Sequence, residues 1–218
     1  LAAAGFADEA KGLPGGYVER DAGQRVHVEA VLAKGLRRAC DRSLKALGVD
    51  RIDLYQFHAP DPQVPFAESV GMLAELQGAG KIRWVGLSNV SVDQINAARR
   101  HVEVVTVQNR LNPWFREALE QGVVEHCERL GIGFLAYSPV GGGRLNKKLP
   151  AHPVVKAIAE RHGASPHAVV LAWVLEQASS VIVIPGARTV EHALDSMTAG
   201  ALRLEAEELR YLDEAHFD

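Results

Sequence analysis

Five short apolar runs in this sequence each end on side chains able to do chemistry. Ile52-Asp53-Leu54-Tyr55-Gln56-Phe57 ends on His58, and Trp84-Val85-Gly86-Leu87 ends on Ser88 and Asn89. The run from Val104 to Val107 ends on Gln108 and Asn109, that from Gly133 to Ala136 on Tyr137 and Ser138, and that from Val181 to Pro185 on Gly186-Ala187-Arg188. A neutral imidazole such as His58 can donate a hydrogen bond to an oxygen on which negative charge develops. Hydroxyls and side-chain amides such as those of Ser88, Asn89 and Gln108 can match a group that carries both a donor and an acceptor. Each also has a plainer use, since a polar side chain at a strand end can pair with unpaired backbone. Asn109 is read that way.

The runs are separated by amphipathic stretches. Val31, Leu32, Leu36, Ala39, Cys40, Leu44 and Leu47 recur at helical spacing over residues 28–47, and Gly48 closes the pattern. Residues 66–79 and 116–130 are also predicted helices, and Ser91 with Gln94 predicts a capping box opening a helix to about Arg100. Two more fall near 153–162 and 166–177, the second opened by Ser165-Pro166. Thr189 opens another, and 205–215 make the last. Apolar strands alternating with helices predict a parallel sheet covered by helices. No repeat or linker divides the chain, so residues 1–218 are read as one domain.

In a barrel the strand ends converge on one mouth, whereas in an open sheet they spread along an edge. The glycine-rich fingerprint of a doubly wound sheet follows a first strand. Val140-Gly141-Gly142-Gly143-Arg144 has the wrong spacing and lies late in the chain. The expected fold is a (β/α)8 TIM barrel, with about five of its eight βα units evident.

A net charge of -3 without blocks of like charge argues against a nucleic-acid partner, and no apolar run reaches the length of a membrane span. No metal site is assigned. Cys40 and Cys127, the two cysteines, are read as reduced thiols of a cytoplasmic protein. Leu1-Ala2-Ala3-Ala4-Gly5-Phe6 lacks a basic start and a cleavage site, so it is read as the tail of a helix rather than a signal peptide.

Five motifs in order carry a resemblance to a known family. They are Leu47-Gly48-Val49-Asp50-Arg51-Ile52-Asp53-Leu54-Tyr55-Gln56-Phe57-His58, Gly80-Lys81-Ile82-Arg83-Trp84-Val85-Gly86-Leu87-Ser88-Asn89, Val107-Gln108-Asn109-Arg110-Leu111-Asn112, Ala136-Tyr137-Ser138-Pro139-Val140-Gly141 and Ile184-Pro185-Gly186-Ala187-Arg188. Together they resemble the aldo-keto reductases over roughly residues 28–218. The resemblance implies hydride transfer from NADPH, with NADH possible, to a small-molecule aldehyde or ketone. His58 would polarise the carbonyl. Ser88, Asn89 and Gln108 would clamp the nicotinamide carboxamide, and Tyr137 would stack on the ring. Ser138, Val140 and Gly141 would lie over the pyrophosphate, and Gly186, Ala187, Arg188 and His192 would take the adenosine phosphate. Where the fuller family pattern has a second arginine, a glutamate and an asparagine, this chain has His192, Asp195 and Ser196. The oligomeric state is left open.

The family also uses an aspartate, a tyrosine and a lysine, the first two on an early D-T-A-x-x-Y-G segment that this sequence does not show. Asp8-Glu9-Ala10 is a superficial echo, Tyr17 lacks the context, and Lys11 in Ala10-Lys11-Gly12 resembles the family's T-K-G without the apolar strand before it. Lys11 is read as a surface residue. The first three strands are therefore expected to lie outside this sequence, or else to have degenerated in a homologue that a partner stabilises. A non-catalytic nucleotide-binding or regulatory protein of the same fold is the alternative.

Overall fold

The strands are rich in Val, Ile, Leu and Phe, side chains that suit a pleated surface buried against helices. In the computed structural model, which describes residues 22–218 with side chains from Gly35 onward, they form one five-stranded sheet: β1 (Ile52–Phe57), β2 (Ile82–Ser88), β3 (Val104–Arg110), β4 (Gly133–Tyr137) and β5 (Val181–Ile184). The echoes at Asp8, Lys11 and Tyr17 and the helix tail at residues 1–6 lie outside the described residues. All four pairings are parallel, and the strands lie in the order of the chain, β1-β2-β3-β4-β5. A doubly wound sheet reverses direction at a switch point. This one never does, so right-handed crossovers place the helices that connect successive strands on the same side, as in the wall of a barrel.

The helices are α1 (Ala22–Leu47), α2 (Phe66–Gly78), α3 (Val92–Ala98), α4 (Glu117–Glu120), α5 (Val123–Leu130), α6 (Gly142–Leu145), α7 (Pro153–His162), α8 (Pro166–Leu175), α9 (Val190–Thr198) and α10 (Ala206–Glu214). Ser91 caps α3 through the capping box with Gln94, and Ser165 caps α8 ahead of Pro166. The continuous helix expected over 116–130 is instead two. Gly122 adopts a left-handed conformation, φ 68°, which breaks the ladder between α4 and α5. The segment after β4 holds α6 and a 3-10 turn, Asn146–Ala151.

Strand parity divides the sheet into two unlike faces. Phe57, Leu87, Val107, Phe134 and Val181 stand in register across all five strands and are buried. Leu36, Cys40 and Leu44 of α1 pack on this core at i, i+4, i+8. The opposite face carries Leu54 and Ile182, 40% and 51% exposed, and a polar contact at its centre. There Thr106 Oγ1 donates to Gln56 Oε1 at 3.0 Å, and Gln56 Nε2 donates to the Leu87 carbonyl at 3.1 Å. Gly86 lies between the two side chains. A Cβ there would sit 1.8 Å from Gln56 Oε1 and 2.4 Å from Thr106 Oγ1, so the glycine is required by this contact. Among the described residues no helix is long and apolar enough to cross a membrane.

The chain closes by docking α10 on α7 through a buried carboxylate. Glu208 is fully buried, and accepts from Arg161 Nη1 at 2.9 Å, His162 Nε2 at 2.8 Å and its own cap, Glu205 N, at 3.0 Å. Burial pushes its carboxyl up, but these donors together hold it below the ordinary carboxylate value. A carboxylate depressed in the folded state adds stability above its unfolded pKa, and that stability is lost as pH falls through the folded value. Glu208→Gln is therefore expected to lower unfolding free energy at pH 7 by about 1–3 kcal/mol. The gap between variant and wild type should narrow as pH falls from about 5 toward 3 in urea titrations. A gap that stays constant over that range would show that ionised Glu208 is not the stabilising species.

Candidate active site

Parallel strands run out of ladder partners at their carboxyl ends, so the polar residues there face two demands. They must satisfy backbone groups, and only what is left can meet a ligand. The structure sorts the expected site residues by this criterion.

Asn89, just beyond β2, is the hub. It holds a left-handed conformation, φ 57°, that asparagine tolerates better than most side chains. Its backbone N–H donates to the Gln108 carbonyl at 3.0 Å. Its side-chain Nδ2 donates to the His58 carbonyl at 3.0 Å and to Ser88 Oγ at 3.2 Å. Its Oδ1 accepts from the Tyr137 hydroxyl at 2.9 Å. One amide thus ties together the ends of β1, β2 and β4. Ser88 is fully buried, and its hydroxyl donates to the Gln108 carbonyl at 2.6 Å. Asn109 clamps Val90 from both sides, Nδ2 to the carbonyl at 2.8 Å and Oδ1 from the N–H at 3.1 Å, which is the capping role its position suggested.

Two of the strand-end side chains are left over. The exposed His58 imidazole and the half-buried Gln108 amide have no hydrogen-bond partner among the described residues. Register places both at the level of Ser88, on the face that carries Gln56 and Thr106. Tyr137 lies on this face too, half-buried, with its hydroxyl anchored and its ring held beside the mouth. Asn89 differs from the expectation in degree: both its donors and its acceptor already serve the protein.

The segment after β4 is held from beneath. Asn112 Nδ2 donates to the Ser138 carbonyl at 2.9 Å, and Ser138 is the other non-glycine residue with positive φ, 49°. Val140 packs half-buried against the core. Gly141 has φ 83°, and a Cβ on it would meet Leu145 Cβ at 2.7 Å and the Trp114 ring at 2.8 Å. Trp114 therefore packs against the segment after β4, and its ring makes a T-shaped contact with Phe217, centroids 5.3 Å apart. Beyond β5, Gly186, Ala187, Arg188 and His192 are exposed around the start of α9, where Thr189 Oγ1 accepts from the His192 N–H at 3.2 Å. Asp195 is taken by Ser165 at 2.7 Å, and Ser196 bonds the His192 carbonyl at 2.9 Å. The Arg188 and His192 side chains have no hydrogen-bond partner among the described residues.

Arg110 was given no separate role in the sequence. It lies two residues past Gln108, hence on the same face, and in register with Tyr137. Its guanidinium carbon lies 3.4 Å from the centroid of the Phe115 ring. The two-residue spacing was the available signal; the stacking partner, five residues on across a turn, was not. Among the described residues no group of three or more His, Cys, Asp or Glu is placed to hold a metal ion.

A family model described as the aldo/keto reductase family matches residues 22–216. A probable aldo-keto reductase of Glycine max is 35% identical over 83% of this chain and 59% of its own length. An uncharacterized oxidoreductase of Schizosaccharomyces pombe is 35% identical over 83% of this chain and 58% of its own. The chain thus spans somewhat under two thirds of these relatives. Among solved structures, a thermostable aldo-keto reductase in complex with the inhibitor epalrestat superposes with a TM-score of 0.75 at 32% identity, covering 83% of this chain and 66% of that one. An aldo-keto reductase from Klebsiella pneumoniae in complex with NADPH gives 0.72 at 30% identity, covering 82% and 63%.

Gly141→Ala tests the packing of the mouth directly. It should cost about 1–3 kcal/mol of unfolding free energy, because strain from positive φ adds to the collision with Trp114. Equal urea midpoints for variant and wild type would count against this packing.

Proposed function

The chain belongs to the aldo/keto reductase family, and from that premise we propose that it is the nucleotide-binding and carbonyl-polarising part of an NADPH-dependent reductase of aldehydes or ketones. The observation that carries the reading is the sorting at the strand ends. Ser88, Asn89 and Asn109 are spent on backbone and cross-strand bonds, while the His58 and Gln108 side chains, at one level of one face, have no hydrogen-bond partner among the described residues.

The residues present fit a nicotinamide dinucleotide. The free amide of Gln108 offers a donor and an acceptor to a carboxamide, while buried Ser88 and the backbone of Asn89 support it from behind, both donating to the Gln108 carbonyl. The ring of Tyr137, pinned by its hydroxyl to Asn89, offers a flat face for stacking. Backbone of Ser138, Val140 and Gly141 would lie along the pyrophosphate, where two left-handed glycines, Gly141 and Gly142, keep side chains out of the way. Arg188 and His192, with the backbone of Gly186 and Ala187 at the start of α9, would take the adenosine phosphate. The unpaired Arg188 guanidinium favours a 2′-phosphate and so NADPH; NADH is the lesser alternative. When bound, the nicotinamide supplies the hydride.

This chain's part in the chemistry is then electrostatic. An N–H of the His58 imidazole donates to the carbonyl oxygen and stabilises the charge that grows there. Its own backbone carbonyl is fixed by Asn89, so the ring starts from a set position. The proton that completes the alcohol would come from the tyrosine that the family places on its early segment.

Titration with NADPH should enhance its fluorescence at saturation, and with the early-segment tyrosine present 4-nitrobenzaldehyde should be turned over. His58→Ala should lower kcat/KM by about 10²- to 10³-fold, the usual loss for one oxyanion donor, with little change in NADPH affinity. Gln108→Ala should instead weaken NADPH binding by about tenfold, the loss expected for one or two ligand hydrogen bonds. Saturable NADPH binding without turnover of any aldehyde would replace the reductase reading by a nucleotide-binding one.

A further inference from the structure

Arg110 is the half-buried cation that the reading above leaves unexplained. Its guanidinium lies flat on Phe115 at 3.4 Å, so one face is withdrawn from water. Stacking uses the face of the group and leaves its N–H donors, which point outward in the plane, unspent. No carboxylate or carbonyl accepts from them among the described residues, whereas the arginine six residues on is engaged through all three of its nitrogens. That residue, Arg116, donates to the Pro113, Leu212 and Asp213 carbonyls. A guanidinium so placed is pre-oriented for a planar anion.

Its position says which anion. Arg110 shares the sheet face of His58 and Gln108 and lies one side-chain step beyond Gln108 toward the mouth, in register with Tyr137. From β1 to β3 is two inter-strand spacings, roughly 10 Å. That distance suits a compact substrate whose carbonyl meets His58 while a group at its far end meets Arg110.

The geometry points to Arg110 as the specificity-determining residue for carbonyl substrates that carry a carboxylate. The carboxylate oxygens would take two parallel N–H donors of Arg110, with Phe115 holding the guanidinium plane. This rests on the reductase reading proposed above.

4-Carboxybenzaldehyde and its methyl ester are close in size and differ in charge. Wild-type protein should reduce the acid with a kcat/KM about tenfold or more above that of the ester, as a charge-assisted pair implies. Arg110→Met should bring the two together by lowering only the value for the acid, and Arg110→Lys should keep part of the preference, since it retains charge but loses the fork. Tryptophan fluorescence titrated with 4-(hydroxymethyl)benzoate and its methyl ester should show the same order of affinities, independent of turnover. Equal values for acid and ester in the wild type would overturn the assignment. So would a preference that survives in Arg110→Met; Arg110 would then serve only to pack Phe115. Turnover of neither aldehyde would remove the reductase reading itself, and this substrate class with it.

Discussion

A parallel sheet ends in backbone groups that no neighbouring strand can pair, and in this protein that deficit organises the mouth. Asn89 meets it for β1 and β2 while reaching to Tyr137 on β4. Ser88 and Asn109 meet it between β2, β3 and the loop that follows. These bonds are made in a region left partly open to water, where each contributes modestly, but together they set the relative height of three strand ends. The free side chains His58 and Gln108 inherit their placement from them.

Below the mouth the same economy holds in the sheet's second face. Gln56 and Thr106 bond one another across the missing side chain of Gly86, so a polar contact takes the place where a hydrophobic residue would have separated β1 from β3. The helix-facing side is conventional by contrast: Phe57, Leu87, Val107, Phe134 and Val181 form one buried row. Specificity of register comes from both faces together, since a slip of one residue would bring Gln56 into the apolar row and Phe57 onto the open face.

The architecture was largely legible in the sequence, because apolar runs and helical spacing report burial directly. Strand alternation identified all five strands, and caps such as Ser91 with Gln94 lay where their spacing indicated. The break at Gly122 was not legible, because a glycine inside an amphipathic pattern is compatible with either a continuous helix or a left-handed stop. At the mouth, residue type identified which side chains are polar but not how they divide their bonds. Asn89 and Gln108 carry the same functional group, yet one is saturated by the protein and the other is not. That difference depends on the His58 carbonyl and the Tyr137 hydroxyl, contributed from other strands, and periodicity within one segment carries no information about them. Arg110 escaped for the same reason, since its meaning lies in Phe115 across a turn.

His58 is held in a particular way. Asn89 grips the backbone carbonyl of residue 58 and makes no hydrogen bond to the imidazole. The scaffold therefore secures the position without regard to what is mounted on it. Chemistry and architecture are uncoupled at this point, so residue 58 is a socket: exchanging its side chain would alter the chemistry proposed for the mouth while leaving the strand ends aligned. A lineage built on such a socket can change its catalytic repertoire, or abandon catalysis for binding, without first having to redesign its fold.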